Sequence, residues 1–414
     1  MVERFFRDGA APERLRASPI GPHLDSFTTV VMQRGYARST IRLQLWLLAD
    51  LGRWLKRQVL SIGDLRASVT DAFLKRRRRA RRLRRGDAAT LHLFLDHLQA
   101  EGVIPAPRPV VDRSTLGQLK DRYEEYLLKE RGLSPWTAYR NWFVVRRFLT
   151  ERFGAGPIRL RRLRPADVTH FLLRHPSRPV SPSAHLHVSA LRSFFRFLFQ
   201  EGDTDGDLSA AVPSVRRWRL VDVPKYLKPT DVEQLLGSGD RTSPVGRRNY
   251  ALLLLLARLG LRAGEVVRLE LGDIDWRAGE LTVRGKGLVH DRLPLLREVG
   301  EALVAYLRTD RPSCTTRRVF VRMKAPHRGF NHPSTVSTIV RRALERARLT
   351  PPITGAHLLR HSLATGLLRH GASLTEIGEV LRHRTPNTTE IYAKVDLAGL
   401  RALAHPWPVG GGEQ

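Results

Sequence analysis

Gly355-Ala356-His357-Leu358-Leu359-Arg360-His361-Ser362 is the stretch on which the reading of this chain turns. It opens a helical pattern over 357–370, and His357 and Arg360 stand three residues apart, so they share one face of that helix. Working outward, helical patterns run over 373–381 and over 386–393, the second carrying Tyr392. Upstream they run over 298–309 and 334–348. Before these lies a hairpin pattern: Glu280-Leu281-Thr282-Val283-Arg284, the turn Gly285-Lys286-Gly287, and a return through Arg292-Leu293-Pro294-Leu295. Further back, 247–259 is helical, and Thr230-Asp231-Val232-Glu233 reads as a capped helix start. The expectation is a mixed α/β domain over 230–395, mostly helical with one small β-sheet.

The N-terminal half reads differently. Met32-Gln33-Arg34-Gly35-Tyr36-Ala37-Arg38-Ser39-Thr40 is echoed 97 residues later by Lys129-Glu130-Arg131-Gly132-Leu133-Ser134-Pro135-Trp136-Thr137. Each copy precedes an amphipathic helical pattern, over 41–55 and 138–153. The halves also end alike, at an offset of 100. Leu91, Phe94, Leu95 and Leu98 precede Glu101-Gly102, as Leu191, Phe194, Phe195 and Leu198 precede Glu201-Gly202. Two related helical bundles follow from this, making the chain mainly α. The expected domains are an extra bundle in 1–108, a second bundle in 113–210, a basic linker over 211–229, the mixed domain over 230–395 and a tail over 396–414.

The 414 residues hold 71 Lys and Arg against 40 Asp and Glu, a formal net charge of +31. Charge of that size points to a polyanionic partner, nucleic acid first and an anionic membrane surface second. The longest apolar run, 251–257, falls far short of the roughly 20 residues a membrane span needs. No apolar segment follows the first residues, so no signal peptide is expected. The lone Cys314 rules out an intrachain disulfide and is expected to be inert. The linker mixes Arg216, Arg217, Arg219, Lys225 and Lys228 with Trp218 and Tyr226, a composition suited to a strap along a phosphate backbone or to a solvated connector. The run Arg76-Arg77-Arg78-Arg79-Ala80-Arg81-Arg82 reads as a sequence-independent phosphate contact or as a solvated face.

Four separated segments carry chemistry: Arg258-Leu259-Gly260-Leu261-Arg262-Ala263-Gly264-Glu265; Arg284-Gly285-Lys286-Gly287; the His357 stretch; and Leu381-Arg382-His383, with Tyr392 nine residues beyond His383. In order and spacing they resemble the catalytic boxes of the tyrosine recombinases, the phage-integrase family. The resemblance covers about residues 113–395, with a SAM-like helical module ahead of the catalytic domain and a further copy at the N-terminus. It departs at Arg382, where the family usually has glycine; the expected consequence is a disturbed turn or an added phosphate contact.

Arg262 and Arg360 are permanent cations whose forked donors match two phosphate oxygens, where phosphodiester cleavage develops negative charge. Tyr392 is a candidate nucleophile and His357 a candidate base. Lys286 at the hairpin tip is a candidate general acid for the leaving 5′-oxygen, and His383 a hydrogen-bond donor to the phosphate. Taken singly, each has a plainer reading. Arg262 could merely pair with Glu265, Lys286 be solvated and Tyr392 be a core aromatic. His361 and His370 read as structural or exposed.

The resemblance implies a 3′-phosphotyrosyl intermediate without ATP, metal or other cofactor. It also implies double-stranded DNA with paired sites as substrate, a tetrameric synapse and accessory recombinases as partners. No membrane role is expected, and the expected location is the cytoplasm of a prokaryote, at the nucleoid. The expected outcome is integration, excision or transposition of a mobile element. A catalytically inactive DNA-binding accessory protein and a type IB topoisomerase are the rival readings. Leu397, Leu400 and Leu403 lie at helical spacing in the tail, which is expected to dock on a neighbouring protomer.

Overall fold

The computed structural model describes residues 1–6, 13, 15–80, 82–106, 112–154, 156–175, 182–214, 224–285 and 290–395, with side chains from 185 onward in the 182–214 segment. The chain divides into two compact units, Met1–Ala106 together with Asp222–Gln414, and Pro107–Val221.

In the first unit, α1 (Leu24–Gln33), α2 (Arg38–Arg57), α3 (Ala67–Ala80) and α4 (Asp87–Ala100) form a bundle. Ile41, Leu45, Leu48, Leu51 and Leu55 of α2 repeat at helical spacing and are all buried. Phe27 meets Phe94 edge-on at 5.2 Å in the core. The second unit repeats the plan with α5 (Thr115–Glu125), extended by a π turn (Tyr126–Glu130), then α6 (Pro135–Phe153), α7 (Pro165–Arg174) and α8 (Pro182–Gln200). Ser134 caps α6, its hydroxyl accepting from the Thr137 N–H, and Pro135 occupies the first turn.

The internal repeat is visible in the backbone. Gly102 and Gly202 end α4 and α8 at φ +71° and +73°. Each is followed by an N–H that reaches back five residues, Val103 to Leu98 and Asp203 to Leu198, both at 2.9 Å. That closure needs a left-handed residue, which glycine adopts without a Cβ penalty. The apolar residues before the two glycines, named above, are all buried.

The rest of the first unit is built around α10 (Pro244–Arg258). Every residue from 251 to 257 is buried, so the apolar run of the sequence is a central helix. Around it stand α9 (Pro229–Gly237), α11 (Ala263–Arg268), α12 (Arg297–Thr309), α13 (Ser334–Arg346), α14 (His357–Arg369) and α15 (Leu374–Val380). A three-stranded antiparallel sheet, β1 (Ile274–Asp275), β2 (Glu280–Arg284) and β3 (His290–Pro294), runs in sequence order with Leu281 opposite Leu293. Leu281 and Val283 alternate inward and are buried.

The fold is mainly α with a small sheet, as expected. β1 is too short to leave a pattern in the sequence. The helix expected over 386–393 is instead two 3-10 turns, Pro386–Thr388 and Glu390–Val395.

Candidate active site

Residues from widely separated segments meet around Glu265. Arg262 stands at the N-cap of α11, where its N–H and Nη1 both donate to Glu265, each at 2.8 Å. Arg262 Nη2 donates to the Arg382 carbonyl at 3.3 Å. Arg360, on α14, is 3% exposed and donates to the carbonyls of Gly260 and Leu381. Gly260 holds φ +58°, and a Cβ there would lie 2.7 Å from the Leu381 side chain. Glycine is therefore required for the two loops to approach.

Burial alone would raise the Glu265 carboxyl, yet the Arg262 N–H and the Arg382 and Arg262 guanidiniums outweigh it and hold it below the usual range. Burial, with Arg262 and Arg382 nearby, pushes Arg360 down to about 10.

Tyr392 sits in the last 3-10 turn, 1% exposed. Its hydroxyl pairs with Nδ1 of His361 at 2.8 Å. Burial pushes the Tyr392 hydroxyl up to about 12, against the opposing pull of Arg360 and Arg262. Burial, then His357 and Arg360, pushes His361 down to about 4. Both partners of this bond are accordingly neutral. The hydroxyl's partner is thus His361 rather than His357; the His357 ring lies 6.3 Å from that of His361 and is also lowered by burial and by Arg360 and Arg262. His361 was read from sequence as structural or exposed. It follows Arg360 directly, but nothing in a single sequence marks which face of α14 meets Tyr392. His370 is exposed.

His383 follows α15. Its Nδ1 pairs with Thr389 Oγ1 at 2.7 Å, and burial with Arg360, Arg262 and Arg382 pushes it down to about 4. Arg382, the departure from the family pattern, leaves the turn intact. It holds φ +55°, the His383 N–H reaches Gly378 at 2.8 Å and the Arg382 N–H reaches Glu379 at 2.9 Å. A side chain in this conformation costs about 1–2 kcal/mol relative to glycine. Lys286 lies outside the described residues.

Comparison with known proteins identifies the assembly. The phage integrase family matches residues 225–398, and its N-terminal SAM-like domain matches 121–202. The Sinorhizobium fredii protein y4rA, described as an integrase/recombinase, is 45% identical over 411 residues, 98% of this chain and 99% of its own. The chain belongs to the phage integrase family. It is a tyrosine-type site-specific recombinase. The tyrosine recombinase XerC of Oceanobacillus iheyensis is 32% identical over 69% of this chain and 95% of its own. The fold of this integrase is also that of the XerH recombinase bound to its difH substrate, with a TM-score of 0.56 at 20% identity over 70% of this chain and 84% of that one.

The basic candidates of the integrase separate. Lys225 and Lys228 are exposed and flank a stitched segment. Between them, the Leu227 N–H donates to Ser362 Oγ at 2.8 Å and the Arg369 guanidinium stacks over the Tyr226 ring. Arg216, Arg217, Arg219 and Arg81 lie outside the described residues, as does the tail from 396.

Arg76, Arg78, Arg79 and Arg82 are exposed. Arg77 must be taken out of the phosphate-contact set. It turns inward and pairs with Asp50 and, through Nε at 3.5 Å, with Asp87, because every third to fourth residue of α3 faces the bundle. Sequence reasoning passed over a basic hollow of about 480 Å³ in the second unit, lined by Arg131, His185, Ser189, Arg192 and Arg196. Its residues are spread from 131 to 214 and form no run.

Among the described residues no group of three or more His, Cys, Asp or Glu is placed to hold a metal ion, and no helix is long and apolar enough to cross a membrane.

Proposed function

We propose that this recombinase cuts and rejoins DNA through Tyr392. The Tyr392 oxygen attacks the scissile phosphorus, the bond from phosphorus to the 5′-oxygen breaks, and a 3′-phosphotyrosyl link and a 5′-hydroxyl result. Arg262 and Arg360 neutralise the charge that develops on the nonbridging oxygens, and His383 and His357 donate hydrogen bonds to the same phosphate. Lys286 delivers the proton to the leaving oxygen. The Tyr392 proton passes first to His361, whose basicity rises when an anionic phosphate enters the field of the two arginines. The bond energy is kept in the phosphotyrosyl ester, so rejoining needs no ATP.

The observation that carries this reading is the convergence of Arg262, Arg360, His361, His383 and Tyr392, drawn from four segments, into one partly buried, net-cationic cluster. The DNA-bound lambda integrase tetramer and the Tn1549 transposon integrase in complex with a circular intermediate share the fold and support action on paired sites within a tetramer. The biological outcome is movement of a mobile element by integration, excision or transposition, at the nucleoid of a prokaryotic cell. Lys225 and Lys228, the linker arginines, and Arg76, Arg78, Arg79, Arg81 and Arg82 grip phosphates along the duplex.

The test is a nicked suicide substrate carrying a site recovered from covalently trapped genomic DNA. Wild type is expected to form a covalent adduct, and Tyr392→Phe none. An adduct that survives in Tyr392→Phe sinks the assignment.

A further inference from the structure

Arg382 occupies a turn position that the same chain fills with glycine after four helices and with Val59 after α2. The αL closures after α1, α4, α8 and α14 use Gly35, Gly102, Gly202 and Gly371. Arg348, at φ +54° after α13, is exposed. Arg382 differs from it: its guanidinium side chain is 5% exposed and donates to Glu265 Oε2 at 3.0 Å and to the Val380 carbonyl at 3.1 Å. Glu265 itself is 2% exposed and also holds the N–H and Nη1 of Arg262. The circuit closes, because Arg262 Nη2 returns to the Arg382 carbonyl. Both the backbone and the side chain of Arg382 are therefore committed to the Arg262–Glu265 pair, and its immediate neighbour is His383.

We propose that Arg382 is a positioning residue that locks Arg262 and His383 in one fixed geometry through Glu265. This rests on the proposed function above. A glycine at 382 makes the turn at lower backbone strain but leaves Glu265 with Arg262 alone, and the turn then keeps only the guanidinium bonds to its carbonyls, from Arg360 to Leu381 and from Arg262 to residue 382. The guanidinium spends conformational strain to obtain rigidity where two phosphate-contacting side chains must agree in position, and small misplacements there are costly in rate. Arg382 Nη1 and Nη2 are held by the Val380 carbonyl and Glu265, and its Nε is buried without a partner, so the side chain is turned away from the phosphate. The groups facing His383 are Arg262 from the start of α11, Arg360 and His361 from α14, and Arg382 from its own loop. Removing Arg382 takes one of three cations from that field and raises the His383 pKa.

The experiment compares wild type with Arg382→Gly and Arg382→Lys. A mere helix cap ranks Gly at or above Arg and Lys in every property. Positioning predicts a different order for chemistry. The single-turnover cleavage rate at saturating DNA follows Arg > Lys > Gly, with glycine roughly tenfold or more below wild type, measured at a temperature where all three proteins stay folded. DNA affinity and its salt dependence stay unchanged. Equal cleavage rates for Arg and Gly overturn the proposal. So does a loss confined to affinity with a shallower salt dependence, which marks a direct phosphate contact. Should wild type form no adduct at all, the proposed function fails. The His383 imidazole followed by NMR in DNA-free protein then decides alone: exchange broadening in Arg382→Gly that wild type lacks supports the lock, and an equally narrow signal overturns it.

Discussion

At the scale of single residues, the site stores its histidines neutral. His361 and His383 both titrate near 4 in the folded chain, against 6.5 for a free imidazole. The unfolded chain therefore binds more protons between those values. The contribution of these residues is complete above about pH 6.5 and is lost as pH falls toward about 4. Both are partly exposed, so the loss is discounted to about 2 kcal/mol in total. Thermal unfolding followed from pH 7.5 to pH 4 is expected to show this decline, and a His361→Gln, His383→Gln double variant is expected to flatten it. An equally steep decline in the double variant would place the acid sensitivity elsewhere. The same neutrality keeps the proton on Tyr392 in the DNA-free protein. A hydroxyl near 12 and an imidazole near 4 leave the proton on oxygen until a phosphate alters the field.

At the scale of elements, α3 shows why a basic run is not one surface. Arg77 is 10% exposed and bound to two acids on neighbouring helices, while Arg76, Arg78 and Arg79 are exposed. Arg77→Met removes the cation that Asp50 and Asp87 share, leaves Asp50 paired with Arg53, and is expected to destabilise the first bundle by about 2 kcal/mol, read by denaturant unfolding. Replacing Arg76, Arg78 and Arg79 by Ala is expected to leave the unfolding midpoint in place and to reduce the salt dependence of DNA binding. If instead Arg77→Met leaves stability untouched while weakening DNA binding, the inward pairing is wrong. The run was legible as basic from sequence, but its division was not. The acids that claim Arg77 come from α2 and α4, 27 and 10 positions away, and only helix packing brings them there.

For the whole molecule, the extra bundle is joined to the catalytic part by a close contact at Gly35. The His327 N–H donates to the Arg34 carbonyl at 2.9 Å, and a Cβ on Gly35 would lie 1.9 Å from the His327 ring. Gly35 also holds φ +77°. Gly35→Ala thus meets two obstacles, and a loss of about 2 kcal/mol is expected. Adding His327→Ala is expected to restore the part due to overlap, a coupling that a double-mutant cycle measures. Additive effects of the two substitutions would show that the extra bundle and the catalytic part do not meet there. Removing residues 396–414 tests assembly at the same scale. The shortened chain is expected to keep single-site DNA binding and to lose cooperativity on paired sites; unchanged cooperativity would refute docking between protomers.

By itself the sequence determined the family, the helical bundles and their repeat, and it named most of the residues that the fold brings together, because those depend on local periodicity, turn residues and fixed spacing. Only the tertiary structure decided which imidazole meets Tyr392, where Arg77 points and how Arg382 is accommodated. Each depends on a partner distant in sequence, brought near by packing. The four boxes could be read as a list. Glu265 joins the first of them to the last only when the Leu381–His383 turn folds onto the start of α11. A charge of +31 names a polyanion in any conformation. Turning a few of those charges into a site requires burial, where a guanidinium with its donors satisfied is held in place and the imidazole beside it stays neutral.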